Sequence, residues 1–197
     1  AAGAGFQLTW VDRTGKVLEQ FEDTRGKRQV LDPQVAYQLS AVLSDNDARA
    51  PTFGSRSPLA FGNRPVAAKT GTTENFRDGW TIGYTPSLSA GVWVGNNDGR
   101  TLNTGADGVV VAAPIFHAFI ASVMDGWTIE PFPRPAGVKE ATVDKLSNKY
   151  PTENSPETVT DIFTSWQLPS EKDTIHVKVN INKQTGLLAT EFTPAEL

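Results

Sequence analysis

One run, Val66–Thr73, constrains this chain more than any other stretch. Its sequence, VAAKTGTT, passes from small apolar side chains to a lysine, hydroxyls and a glycine. Side chains of a β-strand alternate between two faces, so Lys69 and Gly71 fall on the same face. Because Gly71 leaves that face bare beyond the lysine, the run predicts a rigid strand whose edge a peptide backbone can approach and pair with.

Two further runs with strand character follow, over residues 80–84 and 88–94. Short turns separate the three runs, which predicts an antiparallel meander. A helix opening at Ala112-Ala113-Pro114 carries an apolar face that should cover this sheet, comprising Ile115, Phe116, Phe119, Ile120 and Val123. Trp80 and Trp93 could be aromatic residues of a cleft, but packing between the sheet and this helix is the preferred interpretation.

The residues before the central run predict a hairpin and a helix. Residues 6–11 and 17–21 alternate around a turn, which is typical of a β-hairpin. Asp32-Pro33 is a helix start, and an amphipathic helix is expected over Pro33–Leu43. Residues 44–65 predict a surface loop with apolar anchors at Phe53, Leu59 and Phe61. The fold class is therefore α/β (α+β), an antiparallel sheet flanked by helices.

A proline-rich connector, Pro131–Pro135, suggests a division into a domain over 1–130 and a small β extension over 131–197. Within the extension, residues 141–156 align without gaps with residues 179–194. A repeated strand, turn and short strand predicts two small hairpins, bridged by Phe163 and Trp166. Chance similarity between two polar segments is the alternative.

Composition limits the classes of partner and cofactor that the chain is expected to bind. A net charge of −4 with one short basic cluster, Arg25–Arg28, argues against nucleic acid. The chain has no cysteine, and its two histidines, His117 and His176, show no neighbouring carboxylates at ligand spacing, so neither a metal nor another cofactor is expected. No run approaches the length of a membrane span.

The chemistry of the central run centres on Lys69-Thr70-Gly71. Lys69 supplies a positive field for a carboxylate and a nearby hydroxyl. Thr70 and Thr72 offer hydroxyl donors, and the backbone N–H of Thr72 could face a developing oxyanion. Lys-Thr-Gly is one of three motifs of the penicillin-recognising serine acyl-transfer enzymes.

The surrounding sequence resembles the C-terminal half of the transpeptidase domain of class A (bifunctional) penicillin-binding proteins. The similarity runs in order from about Leu8 to Val123, over the segments GNRPVAAKTGTT (62–73), RDGWTIGYTP (77–86), GVWVGNND (91–98) and AAPIF (112–116). That resemblance implies a partial penicillin-binding, β-lactamase-like fold. It assigns catalysis to Lys69 and Thr72, and substrate binding to Thr70, Gly71, Thr72 and Thr73.

The resemblance also implies the parent reaction, which is D,D-transpeptidation of peptidoglycan stem peptides through a serine acyl-enzyme, open to β-lactam antibiotics. An upstream glycosyltransferase and a location on the extracytoplasmic face of the bacterial membrane follow from the same resemblance. The anchor would lie outside this chain.

One departure from the family pattern is decisive for activity. No serine in the chain is followed by lysine three positions later, so the Ser-x-x-Lys nucleophile is absent. Ser44-Asp45-Asn46 spells the family's third motif but lies too close to Lys69 along the chain, and is interpreted as a helix-terminating turn with Asn46 in left-handed geometry. The missing N-terminal half is thus an expected partner, and the isolated chain should be inactive. The alternatives are a non-catalytic cell-wall binding or scaffold module and an unrelated adhesion module.

Three polar residues beside the central run, Glu74, Asn75 and Arg77, could contact substrate, although a solvated loop is the preferred interpretation. His117 falls off the apolar face of its helix. It is interpreted as a surface histidine without a catalytic role.

Overall fold

The computed structural model describes residues 7–22 and 29–193, with only the backbone for residues 7–10 and 19–22. Two compact units are present, Ala1–Asp32 and Pro33–Leu197. Phe6 of the predicted hairpin, the basic cluster Arg25–Arg28 and the final repeat residue Pro194 lie outside the described residues.

The first unit contains the predicted hairpin. Strands β1 (Gln7–Val11) and β2 (Val17–Glu22) pair antiparallel. The turn is closed by Asp12, whose Oδ1 accepts hydrogen bonds from the Thr14 N–H, the Thr14 hydroxyl and the Lys16 N–H at 2.8, 2.6 and 3.1 Å. The Thr14 hydroxyl is the main cause that lowers the pKa of Asp12.

The second unit is built on the predicted meander. Strands β3 (Ala67–Thr72), β4 (Asp78–Tyr84) and β5 (Ser89–Gly95) form an antiparallel sheet in the order β3-β4-β5. A single 3₁₀ turn, Glu74–Phe76, connects β3 to β4. Helices lie against this sheet, which confirms the predicted α+β class.

Four helices accompany the sheet: α1 (Pro33–Ser44), α2 (Asn46–Phe53), α3 (Gly108–Val111) and α4 (Ala113–Val123). The sequence predicted α1 and α4 and missed α2 inside the expected loop. Asp45 begins α2, because its side chain accepts the Ala48 N–H at 2.9 Å. Asn46 is helical rather than left-handed, so that part of the turn interpretation is wrong.

The core of the second unit lies between the sheet, α4 and the segment before β3. Its buried members are Leu59, Val66, Ala68, Ala113, Phe116, Ile120 and Met124, with Phe53 and Phe61 packed against them. The three predicted loop anchors therefore belong to the core. On α4, however, Ile115, Phe119 and Val123 are 52%, 45% and 38% exposed, so only two of the five residues of the predicted apolar face are buried.

Helix α1 contacts the sheet through a polar residue. Ser40 is buried, and its hydroxyl lies 3.0 Å from the Tyr84 hydroxyl. Leu39 and Val42, whose spacing contributes to the amphipathic pattern of α1, are 49% and 68% exposed. The apolar pattern predicted the position of the helix correctly. It did not predict which face of the helix packs against the sheet.

The C-terminal extension contains a third sheet, formed by β6 (Lys139–Asp144) and β7 (Thr158–Phe163). It contacts α1, where the Gln38 side chain donates to the Ile162 carbonyl at 3.0 Å and Gln34 accepts the Ser165 N–H at 2.8 Å. Trp166 is 56% exposed and does not serve as the expected buried bridge. The division at residue 131 stays a prediction.

The two aligned segments of the extension share one turn. The side chains of Asp144 and Asn182 each accept two backbone N–H groups, from residues 146 and 147 in one copy and from 184 and 185 in the other. Backbone bonds Asp144 N–H to Lys149 O and Asn182 N–H to Leu187 O also correspond, at 2.8 and 2.9 Å. The two copies therefore share this turn. The hairpin predicted within residues 141–156 is wrong, however, because β6 pairs with β7, which begins beyond the first copy at Thr158.

None of the helices among the described residues has the length and apolar character that a membrane crossing requires.

Candidate functional site

Strand β3 is an edge strand of the described sheet, because it pairs only with β4 there. The Thr73 N–H donates to the Asp78 carbonyl of β4 at 3.1 Å. Backbone groups of an antiparallel strand alternate in direction, so the N–H groups of Thr70 and Thr72 point away from β4. The edge predicted from the sequence is thus open, and a substrate backbone can add to it as a further strand.

Lys69 is exposed on the face of β3 opposite to the core. Its Nζ donates to the Thr70 carbonyl at 2.7 Å. Among the described residues, no carboxylate lies within ion-pair distance of Lys69. Its positive charge is therefore available to an anionic group that approaches this face.

The hydroxyl groups of Thr72 and Thr73 have different surroundings. The Thr72 Oγ1 accepts the Gly108 N–H at 3.0 Å, which leaves its proton free for another acceptor. The Thr73 Oγ1 accepts the Asp78 N–H at 2.9 Å and donates to the Asp78 carboxylate at 3.0 Å. Thr72 can therefore donate to a ligand, whereas the hydroxyl of Thr73 is already used in a turn.

Gly71 is not required by packing. A methyl group there would meet only the Trp80 Cβ, at an ordinary distance of 3.5 Å. At Gly79, Gly83 and Gly108 the added carbon would lie within 2.4–2.7 Å of neighbouring atoms. The fold would therefore accommodate a methyl group at Gly71.

The face that carries Lys69 is covered by α1 at its Tyr84 end and is apolar and exposed at the end with Trp80 and Trp93. Trp80, Ile82 and Trp93 are 41%, 56% and 43% exposed, and the two indole rings lie 6.5 Å apart. The expectation that both tryptophans pack against α4 is wrong, because register places them on the opposite face, beside Lys69 and Gly71.

Ser44 and Asn46, which spell the family's third motif with Asp45, make local contacts. The Ser44 hydroxyl donates to the Ser40 carbonyl at 2.7 Å, and the Asn46 amide donates to the Ser55 carbonyl at 3.1 Å. These bonds hold the junction between α1 and α2. They are the contacts of a structural turn.

His117 differs from its prediction as a surface residue. It is half-buried, its Nδ1 lies 2.8 Å from the Pro58 carbonyl, and its ring stacks on Phe61 with centroids 4.4 Å apart. Glu74 and Arg77 are exposed as expected. The histidine thus fixes the loop before β3 against α4.

His176 contradicts the premise that it has no carboxylates around it. Its Nδ1 lies 3.0 Å from Asp173 Oδ2 and 3.1 Å from Asp144 Oδ2. The i, i+3 spacing of Asp173 and His176 was visible in the sequence, whereas Asp144 arrives only through the tertiary fold. Sequence reasoning missed this cluster.

Both carboxylates of the cluster are ionised at neutral pH. The Ser147 N–H is the main cause that lowers the pKa of Asp144. Burial raises the pKa of Asp173, but hydrogen bonds, first that of the His176 N–H, outweigh it and bring the pKa to about 2.

Comparison with known proteins places the chain in a family. It is 36% identical over 195 residues to penicillin-binding protein 1A of Clostridium botulinum, covering 95% of this chain and 22% of that protein. Penicillin-binding protein 1A of Clostridium novyi is 28% identical over 193 residues, with 95% and 21% covered. That of Pseudomonas aeruginosa is 27% identical over 154 residues, with 78% and 18% covered.

A crystal structure of penicillin-binding protein 1A from Haemophilus influenzae is similar with a TM-score of 0.48 and 23% identity, over 54% of this chain and 16% of that one. No protein-family model matches the chain.

The sheet with its Lys-Thr-Gly edge strand and the near-complete alignments define the class as a penicillin-recognising protein. Within that class, the chain belongs to the class A penicillin-binding proteins, with relatives named penicillin-binding protein 1A. It spans about a fifth of the length of these relatives.

Proposed function

We propose that this chain forms one wall of the active site of a peptidoglycan D,D-transpeptidase. The single observation that carries the proposal is the open edge of β3, where Lys69, a bare Gly71 and the outward N–H of Thr72 occur together. Each group matches one requirement of acyl transfer to and from a peptide.

The stem peptide would pair with the open edge of β3 as an added strand. Gly71 lets its backbone approach, and Lys69 with the Thr70 and Thr72 hydroxyls binds a terminal carboxylate. Thr73 lies at the end of this surface, where it would contact the bound substrate. A β-lactam would use the same contacts, because its carboxylate and carbonyl correspond to those of the peptide.

In the reaction, a serine hydroxyl attacks the penultimate D-Ala carbonyl, and the Thr72 N–H donates to the oxygen as negative charge develops on it. The terminal D-Ala leaves as its amine is protonated. The amine of a neighbouring stem peptide then attacks the acyl-enzyme and restores the serine. Lys69 supports proton transfer at the serine through its positive field.

The nucleophile comes from outside this chain in this proposal, since no Ser-x-x-Lys is present. The exposed end of the Lys69 face, with Trp80, Ile82 and Trp93, supports the same conclusion, because exposed aromatic patches mark surfaces that bind protein. The N-terminal half of the transpeptidase domain is the partner that we assign. We also propose that the parent protein carries a glycosyltransferase and a membrane anchor. It would act on the extracytoplasmic side of the membrane.

Labelling with a fluorescent penicillin tests this function. The full-length parent should be acylated on a serine outside these 197 residues, and the isolated chain should not be labelled. Lys69→Ala in the parent should lower the acylation rate about 100-fold or more. Lys139→Ala, at an exposed lysine of β6 in the extension, is the matched control and should leave the rate unchanged.

Two outcomes would reject the proposal. Covalent labelling of the isolated chain would place the nucleophile within it. An unlabelled parent that still binds peptidoglycan would instead identify a non-catalytic cell-wall binding or scaffold module.

A further inference from the structure

The repeated turn of the extension shows which part of Asp144 is needed for the fold. Asp144 Oδ1 accepts the N–H groups of Leu146 and Ser147 at 3.0 and 2.9 Å. Asn182 Oδ1 does the same in the second copy at 2.9 and 3.0 Å, with a neutral side chain. An amide is therefore sufficient for the turn, and the charge and second oxygen of Asp144 serve another purpose.

That second oxygen, Asp144 Oδ2, is buried and makes no hydrogen bond, although His176 Nδ1 lies 3.1 Å from it. The whole residue is 0% exposed, so water does not solvate it. The Ser155 hydroxyl lies near enough to lower the pKa of Asp144, yet it makes no hydrogen bond of acceptable geometry with Oδ2. A buried, ionised oxygen in this state requires a positive neighbour.

Oδ2 points into the cluster with Asp173 and His176. One ligand atom of each residue, two carboxylate oxygens and an imidazole nitrogen, lies within 4.8 Å of the other two. Asp173 is 5% exposed, so both acids are almost completely buried.

Two lysines of this region are paired with acids outside the cluster. Lys145 pairs with Glu157 at 2.8 Å, and Lys149 pairs with Glu171 at 2.7 Å. The two buried carboxylates thus share a single imidazole. Its Nδ1 lies 3.0 Å from Asp173 Oδ2 and 3.1 Å from Asp144 Oδ2, and Asp144 Oδ2 is left without a hydrogen bond.

We propose that Asp144 Oδ2, Asp173 Oδ2 and His176 Nδ1 bind a divalent transition-metal ion of the Zn²⁺ type. The Nδ1–oxygen separations of 3.0 and 3.1 Å approach those between ligands placed about 2.0–2.2 Å from one ion. Mixed imidazole and carboxylate donors suit such an ion. His176 is 21% exposed, so solvent can complete the coordination.

The metal would fasten the segment around Asp173 to the first repeat. That segment already pairs with Tyr150, whose N–H donates to the Glu171 carbonyl at 3.0 Å and whose carbonyl accepts the Asp173 N–H at 2.7 Å. The ion joins the turn at Asp144 to this pairing. It is a stabilising site in the extension, separate from the Lys69 surface.

Zn²⁺ titration of the tag-free 197-residue chain, after treatment with a chelator, tests the site. Calorimetry should show one ion per chain, and the melting temperature should rise by about 5–10 °C at an excess of 100 times the dissociation constant. Asp144→Asn should lower the affinity at least 10-fold while keeping the fold, because Asn182 closes the same turn. His176→Gln should act likewise, and circular dichroism checks that both variants are folded.

Asn182→Asp is the matched control. It places a carboxylate in the second turn, where the described residues offer no histidine or second acid, so it should add no further Zn²⁺. Absence of saturable binding to the wild type would overturn the proposal, and so would equal Zn²⁺ affinity of wild type and Asp144→Asn.

Discussion

The Thr72 hydroxyl oxygen accepts the backbone N–H of Gly108 at 3.0 Å, which joins the edge strand to the first residue of α3. The same Gly108 lies directly over the ladder between β3 and β4, and the buried Thr81 hydroxyl donates to its carbonyl at 3.3 Å. The position of the proposed oxyanion donor is therefore coupled to how closely α3 approaches the sheet.

Gly108→Ala should disrupt this approach. The new methyl carbon would lie 2.4 Å from the Gly71 carbonyl oxygen and 2.5 Å from that of Trp80. Since backbone atoms cannot rotate away, we expect a loss of about 3 kcal/mol or more in the free energy of unfolding, measured by urea denaturation. Gly91→Ala, where the nearest atom is 3.6 Å away, should stay within about 0.5 kcal/mol of wild type.

Gly71→Ala should separate function from stability. Its methyl group fits at 3.5 Å from Trp80 Cβ, so the urea midpoint should change little. In the full-length parent, the same methyl group would obstruct a backbone at the β3 edge and lower penicillin acylation about 10-fold or more. Acylation of Gly71→Ala at the rate of the unsubstituted parent would contradict this role.

Thr73→Val should mainly lower the free energy of unfolding. It leaves the Asp78 N–H and carboxylate without their hydroxyl partner, which should cost about 1 kcal/mol in urea denaturation. Acylation of the parent reports the proposed substrate contact separately. A rate that falls with no loss of stability would show that substrate binding, rather than the turn, is the main role of Thr73.

Phe116→Ala should show that α4 is held by its buried side. Phe116 is 0% exposed and meets Phe61 edge to face at 6.0 Å. Its truncation should cost about 3–5 kcal/mol in the free energy of unfolding. Phe119→Ala, on the exposed side of the same helix, should cost less than about 1 kcal/mol, and similar losses would mean that both sides are packed.

Local rules were sufficient for the central sheet and its motif. Alternation in Val66–Thr73 predicted both β3 and the shared face of Lys69 and Gly71. Turn residues predicted the short connections that join β3 to β4 and β4 to β5. These features depend on neighbours along the chain, which is why the sequence alone revealed them.

The faces that elements bury depended on tertiary structure. Trp80 and Trp93 have the bulk typical of a core, yet strand register places them opposite to α4. Phe116 and Phe119 are chemically alike, and only the position of the sheet selects Phe116. Apolar pattern therefore predicted which segments form elements better than which side is covered.

Polar sequence concealed α2 and the metal-ligand cluster. The helix has little apolar content and contains Pro51, and its N-cap Asp45 also fits a helix end. Asp173 and His176 are visible as a local pair, but Asp144 reaches them only through the pairing of Tyr150 with Lys172. Contacts between distant segments leave no pattern in a single sequence.

The open edge of β3 also matters for the chain in isolation. A strand whose N–H groups are unpaired is a template for another copy of the same strand, and such edges promote aggregation. Lys69 opposes that pairing, because two copies aligned edge to edge would bring like charges together. The lysine that we propose for the reaction would thus also oppose self-association of the isolated chain.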